Sequence, residues 1–224
     1  MPQRKNKKIL IYFFLLILLG SINNNSINNL KFEKIKSINI FGLDENEQKK
    51  ILYNLNNLDL KNIFFIKKKN FQNIIESNSL VEDYNVIKKY PHSIDINIKK
   101  TNFIARINKN RKFFLLGNNG KLSNNDISNI QLPYIFGNPD INEVVELKKI
   151  IDQSNIEYSQ IGSLYYFKSN RWDLKFTNNF LIKLPEKIDR ETLDKISFFL
   201  KNIKLENKKI LDARIKNQII ILNE

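Results

Sequence analysis

The side chains able to do covalent chemistry are few and stand apart. His92 is the single histidine, placed after Pro91 in what reads as a turn. As a general base or metal ligand it would need companions at fixed spacing, and the chain has no cysteine and no H-E-x-x-H pattern. Ser163 follows Gly162 but lacks both the G-x-S-x-G elbow and a Ser-x-x-Lys arrangement, and Ser37 and Ser159 lead no further. The carboxylate pairs Glu82-Asp83, Asp44-Glu45 and Asp189-Glu191 lie beside expected caps and loops, where solvated capping explains them better than an acid/base dyad. With 6 glycines in the chain no phosphate-cradling loop forms, and Gly117 to Gly120 reads as a hairpin. No catalytic residue, cofactor site or metal site is expected, and the residues point to binding or scaffolding.

Where such a protein works depends on the apolar run Ile9 to Ile22. Arg4, Lys5, Lys7 and Lys8 precede it, and a polar Asn/Ser tract from Ser21 to Asn29 follows. Basic flank, apolar run and polar exit make a membrane-targeting segment. At ~1.5 Å per residue the run spans about 21 Å, short of a bilayer core of roughly 30 Å and suited to a secretory signal. Leu18 stands where a cleavage site wants a small residue, which argues for an uncleaved anchor instead. Either reading carries everything after residue 22 across a membrane and leaves the basic tail in the cytoplasm. Ile9, Leu10, Phe13, Phe14, Leu16 and Leu19 are the candidate anchor residues.

Composition narrows the rest. The exported part of a 224-residue chain holds one large or two small domains. Without cysteine it has no disulfides and must hold itself by core burial. The net charge of +14 would attract anionic lipid, nucleic acid or an acidic partner. Lys, Asn and Ile are abundant together, however, as AT-rich codon usage alone would produce. The basic residues are scattered, with Lys67-Lys68-Lys69 the one tight run after the apolar segment, so nucleic-acid binding is not expected.

The elements follow from periodicity. Lys34 to Gly42 alternates as a strand ending in a turn. Asp44 with Glu47 reads as a capping box for a helix buried through Ile51, Leu55 and Leu58. Leu60 to Ile66 is an apolar connector, and Lys69 to Asn78 a second helix with Phe71, Ile74 and Ile75 inward. Val81 to Tyr90 is a strand with a slip in register, Pro91 a turn, and Ser93 to Lys99 a strand with Ile94, Ile96 and Ile98 on one face. Strands are expected over 103–107 and 112–116, with a hairpin at Asn118-Asn119-Gly120. Leu132 to Gly137 reads as a break, and Pro139 as the first position of a helix. Strands over 161–167, 171–176 and 180–184 follow. Asp189 caps a last helix carrying Leu193, Ile196, Phe199, Leu200 and Ile203 inward, and strands over 210–214 and 219–222 close the chain. The fold class is α+β: a strand-helix-helix-strand-strand unit, then a mostly antiparallel sheet with two helices.

A series of short motifs runs through these elements: Ile38-Asn39-Ile40-Phe41-Gly42; Asn62 to Ile66; Val81 through Pro91 to Ile98; Ile104-Ala105-Arg106; Leu115 to Gly120; Leu132-Pro133 to Gly137; Arg171-Trp172-Asp173-Leu174 with Leu184-Pro185; and Leu211-Asp212-Ala213-Arg214. In this order and spacing they resemble the FtsQ/DivIB family of bacterial cell-division proteins, the Gram-negative FtsQ type most closely. Lys67 stands where the family usually has Asp, and the tail before Ile9 is short. The resemblance implies a cytoplasmic tail over 1–8, a transmembrane anchor over 9–22, a linker over 23–30, a POTRA domain over 31–100 and a β domain over 101–224. It implies no enzymatic activity and no small-molecule substrate. It implies a single-pass inner-membrane scaffold of the divisome, its bulk in the periplasm at the septum, binding FtsB with FtsL and helping to regulate septal peptidoglycan synthesis. The implied mode is strand addition near the C-terminus. Arg171, Trp172, Arg214, Ile215, Ile219, Ile220 and Ile221 are the candidate contact residues. Four consecutive apolar residues, Ile219 to Leu222, cannot all face one core from a strand, so alternate ones must look outward. Arg171 also reads as a solvated strand residue, and Arg214 as an internal partner of Asp212 or Glu206. A POTRA-bearing transport or assembly component and an exported enzyme are the rival readings.

Overall fold

In a computed structural model the chain is described over residues 3–22, 34–58, 60, 63–109, 111–124, 131–202, 210–215 and 218–222. The linker over 23–30, the segment 31–33, Asn62, Ile203 and Glu206 lie outside the described residues. Helix α1, Gln3–Ile22, carries the apolar run. Its opening turns hold Arg4, Lys5, Lys7 and Lys8, so the apolar part is shorter than the helix. No helix among the described residues is long and apolar enough to cross a membrane.

The first folded unit is built on a three-stranded sheet in the order β1-β3-β2. Its elements are β1 (Ser37–Phe41), α2 (Glu45–Asn56), α3 (Lys69–Glu76), β2 (Val81–Lys89) and β3 (Ser93–Lys100). The expected element order holds. β3 runs parallel to β1 and antiparallel to β2, with a bulge between Val81 and Asp83 where the alternation slips. Ile94, Ile96 and Ile98 line the covered face and pack with Ile51, Leu55, Phe71 and Ile75 of the two helices. In the connector Ile63 and Ile66 are buried with them, while Phe64 and Phe65 point outward.

The expected capping box on α2 does not form. Asp44 sits at the N-cap without a side-chain bond to the helix. Its carboxylate takes Lys100 Nζ at 2.9 Å, and Glu47 accepts from Lys50 and from Asn78. Two lysines and an amide side chain occupy the carboxylates that the box would have turned to the backbone.

The second unit is a nine-stranded sheet in the order β12-β11-β10-β9-β8-β7-β4-β5-β6. Its strands are β4 (Phe103–Lys109), β5 (Lys112–Gly117), β6 (Leu122–Ser123), β7 (Tyr134–Phe136), β8 (Ile161–Phe167), β9 (Arg171–Phe176), β10 (Leu181–Lys183), β11 (Ile210–Asp212) and β12 (Ile220–Leu222). Helices α4 (Ile141–Asp152) and α5 (Arg190–Asn202) cover one face through Val144, Leu147, Ile151, Leu193 and Ile196. Most pairings are antiparallel, but β10–β11, β4–β7 and β7–β8 are parallel. The stretch read as a break therefore holds a central strand, β7. At three residues it is too short to show a period, and Pro133 before it masked it.

Helix α4 begins later than Pro139 suggests. Asp140 is its N-cap, accepting from Asn142 N at 2.8 Å, and Glu143 completes a capping box. In the 118–120 turn only Gly120 takes positive φ; Asn119 does not. The Asn119 amide instead donates to the carbonyls of Ser79 (3.0 Å) and Val81 (2.8 Å), tying the second unit to the first.

Candidate partner-binding edge

The outermost strand, β12, is positioned by its neighbours in turn. β9 crosses the sheet through Trp172 and Leu174, both buried against the helices. β10 pairs with β9, and β11 lies parallel to β10 and carries Leu211 into the same core. β12 then pairs antiparallel with β11, setting Ile220 opposite Asp212, Ile221 opposite Leu211 and Leu222 opposite Ile210. Its other side pairs with no strand among the described residues. Residues opposite each other share a face, so Ile221 follows buried Leu211 inward. Ile220 and Leu222 face out and are 37% and 42% exposed. Ile219 packs partly against the core.

The outer face beside this edge carries an ordered charge row. Asp173 pairs with Lys183, Lys183 with Asp212 and Asp212 with Ile220 across four strands. Arg214 grips Asp212 by Nε at 2.8 and 2.9 Å and by a terminal nitrogen at 2.5 Å. That bond holds the Asp212 carboxyl below its ordinary value and raises the guanidinium. Arg171 donates from Nε to Asp173 at 3.2 Å and lies 4.4 Å over the Phe167 ring. Burial nevertheless pushes the Asp173 carboxyl up, against the pull of Arg171, Lys183 and Arg214. Arg214 and Asp173 act on each other's charge, so the two arginines border one patch.

The structure thus brings Arg171, Arg214 and Ile220 to the outer face near the β12 edge. Ile215 is exposed just beyond Arg214. Trp172 is elsewhere: at 4% exposure it packs at a tilt against Tyr166, centroids 4.8 Å apart, and supports the sheet from inside. Its position between Arg171 and Asp173 reverses its facing, as strand alternation requires. Arg171 and Arg214 are both held by carboxylates of their own chain two residues on or back, the internal pairing that the sequence left open for Arg214. Each guanidinium keeps donors beyond those its carboxylate uses.

Sequence reasoning missed an open groove on the other side of the edge, lined by Arg190, Asp194, Phe198, Phe199 and Ile219. Phe198 is 72% exposed there. The signal was its place in α5: it lies off the inward stripe of Leu193, Ile196 and Leu200, so a large apolar side chain had to face solvent. Among the described residues no group of three or more His, Asp or Glu side chains is arranged to hold a metal.

Comparison with known proteins agrees with this architecture. Residues 33–100 match the family model for the FtsQ-type POTRA domain, and residues 105–214 match that for the C-terminal domain of cell division protein FtsQ/DivIB. The chain is 28% identical over 195 residues to cell division protein FtsQ of Rickettsia conorii, covering 84% of this chain and 72% of the relative. It is 30% identical over 122 residues to cell division protein DivIB of Clostridium tetani, covering 52% of this chain and 46% of the relative. The major extracytoplasmic domain of DivIB from Geobacillus stearothermophilus aligns at 16% identity with a TM-score of 0.34, over 47% of this chain and 99% of that one. The family models carry the assignment. Their two matches adjoin in the expected order and end at Arg214, beside the free edge: the chain belongs to the FtsQ/DivIB family of cell-division proteins.

Proposed function

We propose that this protein is a membrane-anchored scaffold of the divisome that binds an FtsB-type partner, paired with FtsL, along the free edge of β12. The observation that carries the reading is the edge itself. β12 ends the sheet among the described residues, its outward Ile220 and Leu222 are exposed, Arg214 follows the neighbouring strand β11, and Arg171 lies on β9, three strands in. An unpaired strand edge is a template for another strand, and monomeric proteins usually shield it with charge, proline or a bulge. Ile220 to Leu222 has none of these. A partner strand added there gains main-chain hydrogen bonds, with specificity from the alternate side chains. Acidic groups on the partner would take the spare guanidinium donors of Arg171 and Arg214.

The protein acts by binding and not by turnover in this reading, which separates it from an exported enzyme. A POTRA-bearing transport or assembly component is the other reading. The direct test is capture of FtsB by the full chain. Ile220→Asp is expected to abolish capture with thermal unfolding shifted only slightly, since Ile220 faces solvent, and Arg214→Glu to abolish it with a larger fall in thermal stability, because Asp212 loses its partner and gains a second carboxylate beside it. Capture undiminished by both variants overturns the proposal.

Helix α1 is read as the anchor that keeps the scaffold at the inner membrane, N-terminus cytoplasmic and bulk periplasmic. Its apolar part is short. Lys7 and Lys8 would snorkel to the cytoplasmic headgroups and the bilayer would thin locally at modest cost. Protein extracted from membranes is expected to begin at or near Met1. An N-terminus after Gly20 contradicts the anchor while leaving the export intact.

A further inference from the structure

We propose that the end of the POTRA domain bearing Phe64, Phe65 and Tyr90, with Lys34, Lys36 and Lys67 around it, lies on the surface of an anionic lipid bilayer. The inference rests on α1 being an anchor, as proposed above. Phe65 is 79% exposed, Tyr90 58% and Phe64 54%, on a domain whose other large apolar side chains mostly enter one core. Phe64 and Tyr90 pack at a tilt with centroids 5.0 Å apart, and Lys88 Nζ reaches the Phe64 carbonyl at 3.4 Å. The aromatic tip is therefore one assembled feature from two separate loops.

The fold says which end this is. The chain enters β1 here: Lys36 N donates to the His92 carbonyl at 2.9 Å, and Ser37 pairs with Ser93 beside the 90–92 turn. The opposite end of the sheet, at Lys100 and Thr101, leads into the β domain. The aromatic end is thus the one at which the chain enters the domain from the α1 side. Residues 23–33 join the two, and eleven residues reach at most about 40 Å. Lys34, Lys36 and Lys67 are exposed. Asp95, the described acidic side chain of the adjoining strand, is paired with Lys89 and accepts from the Asn39 amide.

Chemistry then identifies the partner. Aromatic rings with a polar or carbonyl-rich neighbourhood settle at the headgroup level of a bilayer. Each lysine near an anionic surface strengthens association about fivefold. Docking at this end would hold the POTRA domain against the membrane and present the β domain, with its free edge, away from it.

The test places the full chain in lipid nanodiscs, with bromine on the upper acyl chain and with or without phosphatidylglycerol in phosphatidylcholine. Phe65→Trp adds one emitter to buried Trp172. Its emission is expected to be blue-shifted and quenched by the brominated lipid in phosphatidylglycerol discs. The quenching is expected to fall when Lys34, Lys36 and Lys67 are all changed to Glu. Equal emission with brominated and unbrominated lipid, in a chain that stays in the disc, overturns docking alone. Equal quenching in discs of phosphatidylcholine alone overturns the anionic part. A chain that leaves the disc on size exclusion overturns the anchor and the docking with it.

Discussion

Arg214 and Arg171 show how the same residue type does two jobs on one surface. Each is held by a nearby carboxylate of its own chain, and each retains donors for a partner. Both arginines pull their carboxylate's pKa down, but burial outweighs that pull at Asp173, so the net shifts differ in sign. The Asp212 pKa is lowered from 3.8, so its contribution to stability is complete above about pH 4 and is lost as pH falls through the depressed value. The Asp173 pKa is raised by burial, so its contribution is present below about pH 4 and is lost as pH rises through the raised value. Arg214→Ala is therefore expected to return the Asp212 titration toward the ordinary range, readable by NMR of the carboxyl carbon. Asp173→Asn is expected to leave stability at neutral pH within about 1 kcal/mol of the parent or above it. It should also flatten the slope of stability against pH between about 4 and neutrality. A large loss at neutral pH would show that the Arg171 bond outweighs burial. Two motif glycines were legible for a reason the structure makes concrete. Gly42 and Gly137 each follow a strand with positive φ, and a Cβ on either would overlap a neighbouring carbonyl, of Ile98 or Tyr166. Gly137→Ala is expected to cost more than about 1 kcal/mol, measured by denaturant unfolding. Trp172 was legible as important but not as to facing, because its neighbours Arg171 and Asp173 are themselves half-buried or buried and blur the alternation.

At the scale of elements, periodicity succeeded where a strand or helix had one wet face. β3 was plain from Ile94, Ile96 and Ile98, and α5 from its stripe. It failed where pairing partners lie far away in sequence. β7 is three residues long and owes its existence to β4 and β8 on either side. The Asp44 box failed because Lys100, fifty-six residues on, claims the carboxylate. The joint between the domains was equally invisible, since Asn-Asn-Gly reads as a turn whatever its side chains touch. There Asn119 bonds Ser79 and Val81 while Lys121 Nζ bonds the Glu76 carbonyl at 2.5 Å, at the C-terminal end of α3, where a cation also suits the helix dipole. Leaving those carbonyls without partners costs roughly 1–3 kcal/mol. Asn119→Ala is expected to lose stability in that range and to broaden the distance distribution between spin labels placed in the two domains. An unchanged distribution would mean that the strand connection through Thr101 alone sets the domain angle.

On the scale of the whole molecule, the chain reads as a line from an apolar helix through a small sheet to a large one. Each sheet holds its own core, and among the described residues β12 is left unpaired on one side. Residue-level chemistry pointed to binding early, because the sequence spaces no nucleophile, base or ligand set for catalysis. It could point to the edge only through the run Ile219 to Leu222, whose alternation the structure resolves into Ile219 and Ile221 inward and Ile220 and Leu222 outward. The groove at Phe198 adds apolar surface on the core side of the same edge, room for residues flanking an added strand. If that surface is used, Phe198→Ser is expected to weaken FtsB capture less than Ile220→Asp, because it removes a side-chain contact and leaves the main-chain pairing intact. The central claim, that β12 receives a partner strand, is tested most directly by amide hydrogen exchange of the full chain with and without FtsB and FtsL. The account predicts strong added protection at residues 220–222, where half of the strand's amides otherwise face solvent. Exchange in β12 that is the same with and without a bound partner would contradict it.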